Sequence, residues 1–346
     1  MFMRRAVLSS TAALVSGYWL KDRVVFCSAA EKSDHHQQDQ IRHCVCSPSL
    51  HGGPLEIKLQ AVRSRSESAA EVAPPKIGLL DWPAGRVMLQ WALDYLPPSA
   101  HVLEFGAGIG LVSIGLAMAG TAAEVIATDY DPEVTALMRD NAAANGVQSC
   151  KASVEAGGPP SMLVAEWDAA HGAASVAALA ALPCDPSKLT HVLGADIVFF
   201  GADDDDTPQE ARSLALEGAA PDNKWLASTL SALLRAHPHI DVRLICVART
   251  HSLSVATFDI SGDLHDEHPR LPVGDRHGEQ DNAMIATSSL GSFERQCAAH
   301  GLRAELLPLP ADTIRRVQQA QPLHLRAAWW LTGLWDTMVM YKLTLA

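Results

Sequence analysis

The sequence predicts an α/β fold in which a mostly parallel sheet is covered on both faces by helices. Three observations carry this. Strands alternate with helices from Ile77 onward, the pattern of repeated βαβ units. A buried apolar strand, "HVLEF" at His101–Phe105, runs straight into a glycine-rich loop that opens a helix. The chain closes on "DTMVMYKLTLA", a final strand-like run.

Taken in order, the chain begins with Arg4 and Arg5, an uncharged run from Ala6 to Leu20, and no acidic residue before Asp22. That run is too short for a comfortable membrane span. Residues 1–30 are therefore read either as a targeting segment, whether mitochondrial presequence, secretory signal or short anchor, or as a flexible N-terminus. Residues 31–76 are rich in Ser, His, Gln and Pro and read as a linker, apart from the alternating strand "PLEIKLQAV" at Pro54–Val62. Residues 77–346 form the main domain. Helical periodicity marks "GRVMLQWALDYL", and "GLVSIGLAMAG" is a helix closed by Gly120. The strand "EVIATD" precedes the helix "DPEVTALMRDNAAANG", with its acidic first turn and glycine stop. The strand "LTHVLGADIVFF", the helix "NKWLASTLSALLRAH", the strand "VRLICVART" and the helix "SSLGSFERQCAAHG" complete the alternation. Residues 171–188, 201–222 and 251–287 fit no core element and read as surface insertions, since unstructured stretches of that length are uncommon inside a compact domain. The apolar patch "AAWWLTGLW" is bounded by Arg326 and Asp336 and reads as packed protein rather than a span.

Composition narrows the function classes. A chain of 346 residues with 48% hydrophobic side chains has ample material for a large core. Its 27 basic residues against 39 acidic ones give a net charge of -12, which argues against general binding to a nucleic-acid backbone and favours a basic protein partner. The seven cysteines include no CxxC pair and fit a reducing compartment. A cytoplasmic location is expected, or a mitochondrial one if the first residues are a presequence.

The loop after "HVLEF" places Gly106, Gly108 and Gly110 where glycine permits positive φ and lets backbone approach a ligand that no Cβ would tolerate. The next strand ends at Asp129, whose carboxylate can accept hydrogen bonds from both hydroxyls of a ribose. A nucleoside-containing cofactor follows. A dinucleotide fits poorly, because the G-x-G-x-x-G spacing needs a glycine where the chain has Leu111.

"VLEFGAGIGLVSIG" resembles the first motif of seven-strand S-adenosylmethionine-dependent methyltransferases, and more narrowly that of the protein-lysine methyltransferases of methyltransferase family 16, with their "VLELGAGTGL" loop. Four further stretches support the narrower likeness. "LLDWPAGRVMLQWAL" resembles the family's tryptophan-containing helix and implies that Trp82 lies beside the cofactor. "VIATDYDPEVTALMRDNAAANG" resembles the second motif, with Asp129 on the ribose and Asn141 and Asn145 in a recurring N-x-x-x-N helix. "LVAEWDAAHG" resembles the "LDWG" segment and implies that Trp167 and Asp168 meet the adenine. "VLGADIVFF" resembles "LGADVVY", placing Ala195 beside the cofactor and Asp196 and Phe199 at the reacting end. The resemblance implies a Rossmann-like sheet of seven strands, mostly parallel with an antiparallel C-terminal strand. S-adenosyl-L-methionine is the implied cofactor, held also by Glu104, Gly106, Ala107, Gly108 and Gly110.

One departure stands out. The family's Asp-x-x-Tyr is Asp196-Ile197-Val198-Phe199 here, so a hydroxyl is missing; if only a hydrogen bond is lost, the cost is about 0.5–1.5 kcal/mol. Methyl transfer from a sulfonium is an in-line displacement in which the protein mainly positions a neutral nitrogen. It requires no metal, and none is clearly encoded. Asp196, at the end of a central strand, is expected to meet the incoming amine, with strand-end capping as its structural alternative. The expected activity is methylation of a protein lysine. The alternatives are a small-molecule, nicotinamide-like N-methyltransferase, or a catalytically silent cofactor-binding interaction module. A nucleic-acid methyltransferase is disfavoured by the acidic charge and by the lack of an Asn-Pro-Pro-Tyr-like motif. The run "HHQQDQIRHCVCSPSLH" has no zinc spacing. The histidines of "GDLHDEHPRLPVGDRHGEQ" and the four aspartates Asp203 to Asp206 read as solvated loops, the latter well placed to attract a basic substrate.

Overall fold

The computed structural model describes residues 40–49, 53–62, 77–79, 81–149, 160–167, 184–198, 223–248, 289–321 and 338–346, all within the compact unit Asp34–Ala346. In chain order the elements are β1 (Gln40–Ser49), β2 (Gly53–Val62), a 3-10 turn (Ile77–Leu79), α1 (Pro83–Tyr95), β3 (His101–Phe105), α2 (Leu111–Ala119), β4 (Glu124–Asp129) and α3 (Pro132–Ala144). There follow β5 (Gln148–Ser149), β6 (Ser161–Glu166), a second 3-10 turn (Pro186–Lys188), β7 (His191–Ala195), α4 (Asn223–Ala236), β8 (Asp241–Val247), α5 (Ser289–Ala299), β9 (Leu302–Leu307), α6 (Ala311–Ala320) and β10 (Met338–Leu345). Among the described residues no helix is long and apolar enough to cross a membrane.

The main sheet has the order β5-β6-β4-β3-β7-β8-β10-β9. Every pairing is parallel except those of β10, which runs antiparallel to both β8 and β9. The chain starts in the middle at β3, builds outward to one side, then crosses back to β7. That reversal opens a crevice at the carboxyl ends of β3 and β7, where open α/β sheets bind ligands. The sheet has eight strands where seven were expected. The extra one is β5, a two-residue pairing of Gln148 and Ser149 with β6 that carries no periodic signal.

Period-two alternation divides the side chains of β3 between two cores. Val102 joins Val87, Leu89, Val112 and Ile114 under α1 and α2 on one face. Leu103 and Phe105 join Leu226, Leu230 and Phe293 under α4 and α5 on the other. Each fully buried leucine or isoleucine in these layers contributes about 1.5–3 kcal/mol. Helix ends follow local chemistry: Asp131 caps α3 by accepting from the Glu133 amide at 2.8 Å, and Pro132 takes the first position, where a missing N–H costs nothing.

Several expectations need correction. The stretch read as linker contains β1, which pairs with β2 antiparallel along its whole length, from Gln40↔Val62 to Ser49↔Gly53. In β2, Ile57, Leu59 and Ala61 are buried while Glu56 and Lys58 are exposed, so one hairpin face closes over the first core. The strand read as far as Phe200 stops at Ala195, because Asp196 adopts φ 58 and breaks the extended path. The edge strand β9 and the helix α6 were not anticipated. Residues 184–188 of the first insertion carry a turn capped by Asp185 on the Ser187 amide at 3.0 Å. Residues 1–39, 201–222, 251–287 and the tryptophan-rich patch at 327–335 lie outside the described residues, as do the side chains of the His- and Cys-containing β1.

Candidate cofactor and active site

At the crevice, Gly106, Gly108 and Gly110 all adopt positive φ, 59, 54 and 88°. A Cβ on Gly106 would sit 2.7 Å from Ile197 Cγ2, and one on Gly108 would lie 3.1 Å from the Gly78 carbonyl oxygen. The loop therefore needs both the conformation and the smallness of glycine. It is pinned from behind: the Ala107 amide donates to the Thr128 carbonyl at 2.9 Å, and the Gly108 amide donates to Asp129 Oδ2 at 3.0 Å.

Asp129 ends β4 and is 5% exposed. Its Oδ1 also accepts from the Asp131 amide at 3.2 Å. Burial pushes its carboxyl above the ordinary value, with those backbone amides partly offsetting the rise. A carboxylate offers about four lone-pair sites, so it can hold the loop and still accept from a ribose hydroxyl. Tyr130, the next residue, is 39% exposed at the same strand end, a large aromatic surface that sequence reading did not single out.

Glu104 faces α2 from the middle of β3 and is 2% exposed. Its Oε2 accepts from the Ser113 amide at 3.0 Å and from the Ser113 hydroxyl. Ser113 is the third residue of α2, and the residue at the N-cap, Gly110, has no side chain to satisfy that first turn. Glu104 supplies the missing acceptor from a neighbouring strand. Burial raises its carboxyl to about 8 despite these bonds, and the nearby Asp129 charge adds to the rise.

Trp82 sits half-buried at the N-cap of α1, and Gly85 packs on Leu111, the first residue of α2, so Trp82 stands at the glycine-loop end of that helix. The turn is locked by Arg86, which bonds both oxygens of Asp81 and donates to Gln321 Oε1 at 2.5 Å. All three side chains are buried. Asp81→Ala is expected to cost about 3–5 kcal/mol in urea unfolding, because it strands a buried guanidinium. A loss below 1 kcal/mol would show that water already reaches the pair.

Trp167 follows β6, and its amide donates to the Asp129 carbonyl at 2.8 Å. Its ring packs on Phe105 with centroids 5.1 Å apart and is 7% exposed, forming a wall behind Asp129. Ala195 ends β7, and Asp196 is the one non-glycine residue with positive φ among the described residues. An L-residue there costs about 1–2 kcal/mol, and such strain collects at functional sites. The Asp196 amide donates to the Ile245 carbonyl at 2.7 Å, and its Oδ1 accepts a long bond of 3.4 Å from Val247 N. The carboxylate thus lies in the crevice but leans on β8. Asp168 and Phe199 lie outside the described residues. Ile197, absent from the sequence-based site, wedges between Gly106 and Gly194 and couples the end of β7 to the loop.

The residues fit S-adenosylmethionine. That molecule carries a sulfonium and an ammonium, and Glu104, Asp129 and Asp196 give the crevice three buried carboxyl groups. Its ribose and chain need close backbone approach, which Gly106 and Gly108 supply. No group of three or more metal-ligating side chains occurs among the described residues. A surface groove of about 560 Å³ between α4 and α5, lined by Ser228, Ser231, Arg235 and His300, lies at the amino ends of the strands, away from this chemistry.

Residues 70–157 match the family model described as lysine methyltransferase, a span holding Trp82, Glu104, the glycine loop and Asp129. The match agrees with the resemblance drawn from the sequence and with S-adenosyl-L-methionine as the cofactor. A release factor glutamine methyltransferase of Deinococcus radiodurans is 36% identical over 115 residues, which is 32% of this chain and 38% of that protein. Among solved structures, a putative tRNA methyltransferase of Streptococcus pneumoniae in complex with S-adenosyl-L-methionine aligns at 12% identity and TM-score 0.33, covering 75% of this chain and 72% of the other. A Haemonchus contortus phosphoethanolamine N-methyltransferase in complex with S-adenosylhomocysteine aligns at 11% identity and TM-score 0.34, covering 75% and 52%.

Proposed function

From a chain whose residues 70–157 match the lysine methyltransferase family, we propose an S-adenosylmethionine-dependent N-methyltransferase whose acceptor is a lysine side chain of another protein. The observation that carries this reading is the glycine loop bonded to Asp129 at the sheet's switch point, inside the matched span. When bound, S-adenosylmethionine supplies a methyl group activated by a sulfonium. The protein's part is to place an amine on the far side of that methyl group and to take away its proton. Asp196 holds its carboxylate at the β7 end of the crevice, where it attracts an ammonium before deprotonation. Positioning of this kind supplies most of the rate. The acidic balance of the chain favours a basic protein segment over a nucleic acid. The Deinococcus relative is named for a glutamine of a release factor, so a protein side-chain nitrogen is in keeping with that likeness.

The test uses S-adenosylmethionine labelled on its methyl group, with purified protein, fractionated cell extract and Asp129→Ala as control. Label entering a discrete protein band, and lost in the control, is the expected result. Label confined to small molecules would sink the protein substrate and leave the smaller acceptor. Cofactor binding with no labelled product in any fraction would leave an interaction module.

Phe199→Tyr restores the family hydroxyl and is expected to raise turnover about two- to tenfold, the equivalent of one hydrogen bond. Unchanged or lower turnover would mean that a hydroxyl at this position does not serve this substrate.

A further inference from the structure

We infer that Asn141 is a positioning residue that couples the N-terminal β1–β2 hairpin to the cofactor loop; the inference rests on the cofactor reading given above. Asn141 is 0% exposed on α3, and its amide is fully used. Oδ1 accepts from the Gln60 amide at 2.7 Å, while Nδ2 donates to the Gln60 carbonyl at 3.1 Å and to the Ile109 carbonyl at 2.9 Å. Gln60 belongs to β2 and Ile109 to the glycine loop, so one side chain bridges two segments that share no other hydrogen bond among those described.

Asn145 makes the matching contact one turn later. Its Oδ1 accepts from the Lys58 amide at 2.8 Å, and its Nδ2 donates to the Lys58 carbonyl at 2.6 Å and the Asn141 carbonyl at 2.7 Å. The spacing explains the pair. Four residues of helix rise about 6 Å, and two residues of strand advance about 6.6 Å, so side-chain amides at i and i+4 meet backbone groups at j and j−2. Asn145 holds the hairpin only, whereas Asn141 holds the hairpin and the loop. The loop also leans on the 3-10 turn that follows the hairpin in the chain, since Gly108 lies against the Gly78 carbonyl. Order in the hairpin and order in the cofactor site are thereby linked, and such linkage is reciprocal.

The experiment measures S-adenosylmethionine affinity by calorimetry on the full chain and on Asn145→Ala, Asn141→Ala and Asn141→Asp, at a temperature where each is folded. Asn145→Ala is expected to lower the melting temperature and keep the dissociation constant within about twofold. Asn141→Ala is expected to weaken binding about tenfold, within the range of ordinary site-to-site coupling. Asn141→Asp keeps the acceptor for the Gln60 amide but loses the donors to the Gln60 and Ile109 carbonyls, and is expected to weaken binding comparably. Should the Asn141 variants not fold, hydrogen exchange on the unmodified chain replaces them: saturating cofactor is expected to slow exchange at Gln60 more than at amides of β9. Equal dissociation constants for Asn145→Ala and the Asn141 variants, or no selective slowing at Gln60, would overturn the inference alone. Absence of binding by the unmodified chain would overturn it together with the cofactor reading.

Discussion

Gly106→Val is expected to weaken S-adenosylmethionine binding severely while the sheet stays folded. Valine is β-branched and poorly suited to φ 59, and an L-residue there costs about 1–2 kcal/mol. Its Cβ would lie 2.7 Å from Ile197 Cγ2. Ile197 has little room to retreat, because its Cδ1 already lies where a Cβ on Gly194 would be, 2.5 Å away. Overlap of this kind costs about 1–3 kcal/mol more. The loop relieves it only by moving into the crevice, so most of the sum, about 2–5 kcal/mol, should fall on binding, a loss of about thirtyfold to several thousandfold. Calorimetric titration gives the affinity and far-ultraviolet dichroism checks the fold. Affinity within threefold of the unmodified protein would show that the loop does not touch the cofactor. Gly106→Ala with Ile197→Ala, which removes Cγ2 and leaves only Ile197 Cβ at 3.8 Å, should recover the part due to overlap and keep the part due to φ.

Glu104→Gln is expected to stabilise the cofactor-free protein at pH 8 and to weaken its hold on the cofactor. Glu104 is raised from 4.5 to about 8 by burial. Its folded-state value lies above its unfolded one, so its contribution to stability is full below pH 4.5 and is lost as pH rises to about 8. The slope in that window reaches about 1.4 kcal/mol per pH unit. Glutamine keeps an acceptor for Ser113 and has no proton to lose, so the slope should vanish and the variant should lead by a few kcal/mol at pH 8. A cation in the crevice favours the carboxylate. Binding of S-adenosylmethionine should therefore release up to one proton and tighten between pH 6 and 8, as titrations in buffers of different ionisation enthalpy would reveal. The variant should bind about tenfold more weakly or worse, without that pH dependence, trading function for stability. Parallel stability curves for the two proteins from pH 5 to 8 would mean that water reaches Glu104.

The parts legible in the sequence are those written locally. "HVLEF" and "EVIATD" are strands with the bounds read for them, because a short apolar run meets a glycine or an aspartate that ends it. The glycines and Asp129 could be found because their job depends on spacing along the chain. β9 escaped because an edge strand needs no apolar alternation, and Arg303, Glu305 and Leu306 are exposed on it. "LTHVLGADIVFF" was overrun because Ile197 and Val198 are as apolar as the strand before them, although Ile197 is a wedge against the loop. The lock on Trp82 was invisible, since Gln321 lies 235 residues from Arg86. Asn141 and Asn145 stood out as a pattern, and β2 was read as a strand, but nothing local in either stretch says that they pair across 81 and 87 residues.

The asparagine ladder has a consequence beyond the site. A strand edge with unsatisfied amides and carbonyls is a template on which another chain can add a strand, and proteins blunt such edges to avoid aggregation. Lys58 and Gln60 offer both groups at the edge of β2 away from β1, and the two asparagines occupy them. The ladder is thus also a guard against self-association, and a chain lacking both asparagines would be lost from solution during expression before any assay of its chemistry began.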